Sequence, residues 1–189
     1  GSSNGKLTIQ DNSLLDHDRS SQYVLTIQAS DGVNTSSTSA TINVIDVNNS
    51  PVAVNDAISV NENATATQNN AANGALSNDT DSDGDSLTIE NFRTGPESGS
   101  GIYGAIGTSR AGSYGTLTLH GDGTYSYAAD LAAAEALAAG VAVNDIFTYW
   151  VSDGTDGDTG QITYTVTGIN DSPHIVDAIA KKKYTEGQG

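Results

Sequence analysis

Residues 145–173, "DIFTYWVSDGTDGDTGQITYTVTGINDSP", contain two strand-like runs joined by a turn rich in Asp and Gly. Side chains alternate along a strand, so Phe147, Tyr149 and Val151 fall on one face of the first run. Both runs are rich in Val, Ile, Thr and Tyr, which favour strands. The stretch therefore predicts two antiparallel strands with one buried face.

Six further runs alternate in the same way, and each is bounded by Gly, Asn, Asp or Ser. They are "KLTIQ", "YVLTIQAS", "SATINVIDV", "SLTIENF", "GTLTLHG" and "GTYSYAA". Several short strands at close spacing predict an all-β fold, built as an immunoglobulin-like β-sandwich.

Two stretches depart from the strand pattern. The alanine-rich "DLAAAEALAAG" has Asp130 as its N-cap and Gly140 just beyond its end, which predicts one short helix over 131–139, crossing between the sheets. Residues 93–115, "RTGPESGSGIYGAIGTSRAGSYG", predict a long inserted loop that is flexible or partly ordered.

Two segments repeat at the same distance along the chain. "VIDVNNSP" at 44–51 and "VTGINDSP" at 166–173 lie 122 residues apart, and each ends a strand with proline. "SDGVNTSS" at 30–37 and "SDGTDGDTG" at 152–160 also lie 122 residues apart. This double agreement predicts modules in tandem, separated by short linkers.

The composition narrows the possible functions. The 189 residues include 23 acids against 7 Lys plus Arg, for a net charge of −16, and no cysteine. Such a surface repels nucleic acid and anionic membranes, and the lack of cysteine excludes disulfides and thiol nucleophiles. No apolar run approaches the roughly 18 residues of a membrane helix, so we expect no direct membrane insertion. The acids either keep the protein soluble or bind cations, and their clustering at turns favours cation binding.

One acidic stretch, "NDTDSDGDSLTIE" at 78–90, has the spacing of an EF-hand loop when counted from Asp79. However, "SLTIE" alternates as a strand does, and a strand would carry Glu90 roughly 15 Å from Ser86. We therefore reject the EF-hand. The remaining "DTDSDGD" is either part of another kind of calcium site or an acidic turn, since Asp and Gly favour turns by themselves.

The first part of the chain resembles the second half of a cadherin-type repeat. In that family a Leu-Asp-Arg-Glu motif, a Tyr-x-Leu-x-Val-x-Ala-x-Asp strand and an Asp-x-Asn-Asp-x-Pro linker follow in order. Here "LLDHD", "YVLTIQASD" and "DVNNSP" occupy these places. The chain departs from the family at Asp18, where Glu is usual, and at Asn49, where Asp is usual.

The second part resembles a VCBS repeat, a module of large bacterial surface proteins. Four motifs fit in order: "AVNDAISVNENATA", "LSNDTDSDGDSLTI", "GTLTLHGDGTYSYAAD" and the stretch at 145–173. We therefore expect a cadherin-like half-module at 1–46, a linker at 47–51 and a VCBS-like sandwich at 52–173. Residues 174–189 resemble the first strand of a further module.

The resemblance implies calcium at the junctions between modules. Calcium takes 6–8 oxygen ligands, more than one short loop supplies, so ligands from several segments must converge. The expected ligands are acids and amides of the two motifs, the linker and the turns: Asp16, Asp18, Asp31, Asp46, Asn48, Asn49, Asp79, Asp81, Asp83, Asp85 and Asp153.

The expected function is a calcium-rigidified extracellular stalk module of an RTX-type repetitive adhesin. Such a protein acts in cell adhesion and biofilm at the bacterial surface, and the family implies type I secretion. The expected partners are neighbouring modules of the same chain. We expect no enzyme, because no histidine pair, nucleophile elbow or aromatic cleft accompanies the acids. One alternative is a module whose 93–115 loop binds a carbohydrate or protein. Another is an accessory domain of a secreted hydrolase.

Overall fold

The computed structural model describes residues 15–171, together with Thr8 and Asp11. This part of the chain is almost entirely β, which confirms the predicted fold class. Two single helical turns interrupt the strands, a 3-10 turn at Ala71–Asn73 and α1 at Ala132–Glu135. The strands, in chain order, are β1 (Gln22–Ser30), β2 (Thr35–Asn43), β3 (Asp56–Asn61), β4 (Thr65–Gln68), β5 (Thr88–Thr94), β6 (Gly104–Ala105), β7 (Ser109–Ala111), β8 (Thr116–Leu119), β9 (Tyr125–Ala128), β10 (Ala142–Ser152) and β11 (Gly157–Thr167).

Two sheets form the sandwich of the second module. The larger has the order β3-β11-β10-β5-β6, and the smaller has the order β4-β9-β8-β7. β10 and β11 pair antiparallel, with Phe147 opposite Ile162, as residues 145–173 predict. β11 also pairs in parallel with β3, so the first strand of this module lies beside its last.

The core lies between the two sheets and is rich in aromatic rings. Phe147, Tyr149 and Val151 are buried, which confirms the face predicted from the alternation in β10. Tyr127 of the smaller sheet stacks on Tyr164 of the larger one, with 3.9 Å between ring centroids. Aromatic side chains bury about 150–250 Å² each, so these rings account for much of the apolar surface that holds the sheets together.

The predicted helix is present but short. α1 covers only Ala132–Glu135, against the 131–139 expected, and its N-cap is Leu131 rather than Asp130. It does connect β9 of one sheet to β10 of the other, as predicted. After Glu135 the bonding tightens, since Leu137 N–H donates to the Ala134 carbonyl, and farther on Gly140 N–H donates to the Gly168 carbonyl beyond β11.

The segment at 93–115 is held by two buried charged side chains. The Arg93 guanidinium donates hydrogen bonds to four carbonyl oxygens, those of Thr94, Pro96, Glu97 and Gly99. The Asp145 carboxylate accepts three successive N–H groups, those of Ser113, Tyr114 and Gly115. β6 and β7 then add the segment to both sheets. It is therefore better ordered than its glycine content predicts.

The first module is represented by the β1–β2 hairpin and the segments at its base. In its turn the Asp31 carboxylate accepts the N–H groups two and three residues ahead. Asp153 makes the same two bonds in the turn between β10 and β11. The 122-residue repeat in the sequence is therefore also a repeat in the structure. Val24 and Ile27 are 66% and 42% exposed, because two strands alone enclose no core.

The predicted module limits of 1–46, 47–51, 52–173 and 174–189 stay predictions. The last of these segments, expected to begin a further module, lies outside the described residues. Within the described part of the chain, no helix is both long enough and apolar enough to cross a membrane.

Candidate metal centre at the module junction

The linker lies against the acidic loop of the second module. Val52 and Thr80 exchange two backbone hydrogen bonds, of 2.8 and 3.0 Å, in an isolated antiparallel bridge. Pro51, just before this bridge, is buried. The start of "DTDSDGD" is thereby fixed beside the linker, so that the carboxylates that follow Thr80 face the end of the first module.

Asn49 connects the two modules through its backbone and its side chain. Its N–H donates to Asp83 Oδ2 at 2.6 Å. Its amide Nδ2 donates to Asp83 Oδ1 at 3.3 Å and to Asp18 Oδ2 at 3.2 Å. Beside it, Asn48 Nδ2 donates to Asp153 Oδ2 at 2.9 Å. Side chains of the "LDHD" turn, the linker, the "DTDSDGD" loop and the turn after β10 therefore meet here.

The upstream side of the junction is the "LDHD" turn. Asp16 Oδ1 accepts the N–H groups of Asp18 and Arg19, which closes the turn. The turn places His17 Nδ1 3.1 Å from Asp46 Oδ2 at the end of the first module. A ring nitrogen of His17 and carboxylate oxygens of Asp18 and Asp46 lie within 4.8 Å of one another.

The downstream side is the acidic loop itself. Carboxylate oxygens of Asp81, Asp83 and Asp85 lie within 4.8 Å of one another. Asp81 Oδ1 accepts the N–H groups of Asp83 and Asp85, and Gly84 has a φ of +81°, which glycine adopts without strain. Asp81 Oδ2 is buried and has no hydrogen-bond partner among the described residues. A buried carboxylate oxygen without a partner is costly, and a cation beside it would remove that cost.

Negative charge accumulates at Asp18. Loss of surrounding water raises the pKa of Asp18, and neighbouring carboxylates raise this pKa further, led by Asp83 across the junction. At Asp153 the hydrogen bond from the Asn48 amide lowers the pKa instead. A nearby cation favours the ionised form of a carboxylate. A cation bound beside Asp18 would therefore neutralise its repulsion with the neighbouring carboxylates.

Residues 48–168 match the family model of the bacterial cadherin-like domain. The chain belongs to this family. The match begins in the linker and covers all but the last five residues of the stretch that resembles a VCBS repeat, so the family name applies to the second module. The VCBS and RTX assignments stay predictions. No curated protein sequence matches this cadherin-like chain.

Solved structures that resemble the chain include glycoside hydrolases. One is the endo-fucoidan hydrolase MfFcnA4 from glycoside hydrolase family 107, which is 20% identical with a TM-score of 0.34. The similarity covers 83% of this chain and 20% of that one. The endo-fucoidan hydrolase MfFcnA9 is 21% identical over 77% of this chain and 22% of that one, with a TM-score of 0.31. This cadherin-like chain spans about a fifth of the length of either protein.

Two of the expected ligands do not join the cluster at the linker. Asp79 faces the core of the cadherin-like domain, where its carboxylate accepts hydrogen bonds from Val54 N–H and the Tyr149 hydroxyl. Asp31 lies at the far end of the β1–β2 hairpin, and a nine-residue strand is roughly 30 Å long. The repeat indicates that Asp31 would face the junction at the other end of its module, as Asp153 faces this one.

Two carboxylates near Asp79 were not expected from the sequence. Burial and the charge of Asp79 together raise the pKa of Asp56 to about 7. Asp158 accepts the Ala53 N–H at 3.0 Å. Asp158 thereby holds the segment that leads from the linker to β3, while Asp56 Oδ2 is buried without a hydrogen-bond partner among the described residues. The sequence does not distinguish these two acids from the others, because each looks like one more acid at a turn.

Glu62 is a further acid that sequence reasoning missed. It is only 1% exposed; Oε1 accepts the Ile169 N–H, while Oε2 has no partner in the described part of the chain. Ile169 precedes Asn170 and Asp171, which repeat the positions of Asn48 and Asn49. Glu62 therefore lies at the opposite end of the cadherin-like domain. The burial of Glu62 could have been predicted from the alternation of side chains, because Ile58, Val60 and Glu62 share the inward face of β3 and its extension.

Proposed function

We propose that this cadherin-like chain is a non-catalytic, calcium-rigidified stalk module of a repetitive bacterial adhesin. One observation carries the proposal: Asn49 links Asp18 of one module to Asp83 of the next within a cluster of carboxylates. The proposal includes an extracellular location, export by type I secretion and a role in cell adhesion or biofilm. Its partners are the neighbouring modules of the same chain.

The residues present fit calcium. The side chains at the linker carry carboxylate and amide oxygens, which are the ligand atoms that calcium prefers. Calcium binds 6–8 such oxygens at 2.3–2.6 Å. The acidic loop supplies three carboxylates, and Asp81 Oδ2 is a buried oxygen still without a partner. Ligands would come from both sides of the linker, namely from Asp16, Asp18, Asp46, Asn48, Asn49, Asp81, Asp83, Asp85 and Asp153.

Stiffening follows from where these residues lie. The linker is short, and Pro51 already fixes one dihedral and restricts the residue before it. The carboxylates of Asp18 and Asp83 repel each other across the linker unless positive charge separates them. Calcium supplies that charge and ties oxygens of both modules to one point. The ligand residues then hold the two modules in one orientation. A series of modules fixed in this way is stiff and can project its distal end away from the cell.

Calorimetric titration with calcium, combined with thermal melting, tests the proposal. A ligand that binds only the native state adds about 2.7 kcal/mol to the free energy of unfolding at 100 times its dissociation constant. We expect saturable heat and a higher melting temperature in calcium than in chelator. Magnesium is the matched control, since it demands a smaller octahedral site. Equal melting temperatures in calcium and chelator, with no heat of binding, would reject calcium rigidification.

A second candidate function is ligand binding by the 93–115 segment. The bonds of the Arg93 guanidinium to loop carbonyls hold this segment in place, and Ile102 and Tyr103 on it are 86% and 38% exposed. Rigid exposed aromatic and aliphatic side chains favour contact with a carbohydrate or protein. A glycan array with the wild type and an Ile102→Ser, Tyr103→Ser variant tests this. Retention of one glycan class by the wild type alone supports it, and no retention rejects carbohydrate binding.

A further inference from the structure

We propose that the upstream half of the junction also binds a zinc-like transition metal through His17, Asp18 and Asp46. A ring nitrogen of His17 and one oxygen of each carboxylate lie within 4.8 Å of one another. The same three side chains line a cavity of about 230 Å³ beneath the linker, which has room for an ion and its water.

The imidazole separates this group from an ordinary acidic cluster. Calcium selects oxygen ligands, whereas zinc takes histidine nitrogen and carboxylate oxygen at about 2.0–2.2 Å, often with three protein ligands and one open position. The ligands of a tetrahedral zinc are thus roughly 3.4 Å apart. His17 Nδ1 and Asp46 Oδ2 are already 3.1 Å apart. Asp18 offers the third ligand atom within 4.8 Å of both.

The two segments that carry these ligands are fixed without a metal. Ser20 N–H donates to the Asp16 carbonyl at 3.0 Å and closes the turn that carries His17. Val44 N–H donates to the Ser21 carbonyl at 3.0 Å, which places Asp46 two residues beyond the base of the hairpin. Ligands that are already ordered bind at a smaller entropic cost.

Zinc at this position would oppose calcium. Asp18 and Asp46 are among the ligands proposed for calcium, and Asp18 also accepts the Asn49 amide. A metal held by His17 would draw Asp18 toward the first module and away from Asp83. Zinc binding stands independently of the proposed function, whereas its antagonism of calcium rests on that function.

Titration of the full chain with zinc chloride in calcium-free buffer tests the site. We expect one zinc in the wild type and a loss of affinity of about tenfold or more in His17→Gln, since even outer-shell changes cost 10–100-fold. His120→Gln is the matched control, because His120 is an exposed histidine in the second module, and it should leave the zinc affinity unchanged. Nitrogen NMR of the wild type gives a second measurement, in which zinc should shift the ring nitrogens of His17.

Parallel calcium titrations keep the two proposals distinguishable. Absence of zinc binding, or equal zinc affinity in the wild type and His17→Gln, would overturn the zinc site even if calcium binds. Zinc binding that depends on His17, without any calcium binding, would overturn the stalk mechanism alone. If both metals bind, zinc should weaken calcium binding in the wild type, and simultaneous binding without interference would overturn the antagonism.

Discussion

Asp83→Asn is the substitution that bears most directly on the junction. The Asp83 carboxylate accepts the backbone N–H and the side-chain amide of Asn49, and it belongs to the acidic loop cluster. Asparagine keeps the shape and one acceptor oxygen but removes the charge. The variant should therefore fold normally while its affinity for calcium falls.

Two effects determine how much free energy of unfolding Asp83→Asn loses. Hydrogen bonds to a charged acceptor contribute about 1.5–3 kcal/mol, against about 0.5–1.5 kcal/mol for neutral ones, so the calcium-free variant loses about 1 kcal/mol for each of its two bonds to Asn49. Relief of repulsion with Asp18 offsets part of this loss. In calcium, a tenfold loss of affinity removes about 1.4 kcal/mol more. Of the roughly 2.7 kcal/mol that calcium adds to the wild type at 100 times its dissociation constant, about half should remain.

Urea unfolding in calcium and in chelator measures both effects. Glu90→Gln is the matched control, because Glu90 is an exposed acid in β5 and would be the last ligand of an EF-hand. The gain from calcium should shrink in Asp83→Asn and stay unchanged in Glu90→Gln. If the gain is the same in Asp83→Asn as in the wild type, Asp83 is not a ligand. If Glu90→Gln lowers the stability gained from calcium, the rejection of the EF-hand is wrong.

Three other substitutions test the supports of the fold. Asp145→Ala should cost at least about 3 kcal/mol by urea unfolding, because several buried donors lose their acceptor, whereas the same change at exposed Asp122 should cost far less. Since the folded pKa of Asp56, about 7, lies above its ordinary value of 3.8, its contribution to stability is complete below pH 4 and is lost as pH rises toward and through 7. Asp56→Asn should therefore reduce the loss of stability in chelator between pH 5 and 8; an unchanged slope would contradict this. Arg93→Ala should raise amide hydrogen exchange at 94–103, and unchanged protection would show that the loop does not depend on this side chain.

The sequence predicts features that local periodicity and repetition determine. The buried face of Phe147, Tyr149 and Val151 follows from alternation alone. The meeting of "LDHD", the linker, "DTDSDGD" and Asp153 follows from the resemblance to cadherin-type repeats, which implies a calcium cluster at the junction between modules. These inferences hold because a strand has only two faces and a module only two ends.

Features that depend on contacts distant in sequence were not predictable. Nothing near Asp79 indicates that its carboxylate faces Tyr149 rather than the linker, and the sequence names Asp31 as a ligand without fixing the junction to which it belongs. The 93–115 segment looks flexible because its glycines are visible in the sequence, while the bonds of Arg93 and Asp145 that hold it are not. The helix is shorter than its alanines suggest, and the backbone at Gly140 bonds to Gly168 beyond β11 instead of continuing the helix.

The central claim is that calcium fixes the orientation of the modules, and small-angle X-ray scattering during a calcium titration tests it most directly. The scattering sample is the whole 189-residue chain, which contains the junction between the modules. The distance distribution of the wild type should lengthen and narrow as calcium is added, whereas Asp83→Asn should need about tenfold more calcium for the same change. A wild-type distribution that stays the same from chelator to saturating calcium would contradict the stiffening mechanism, even if calcium binds.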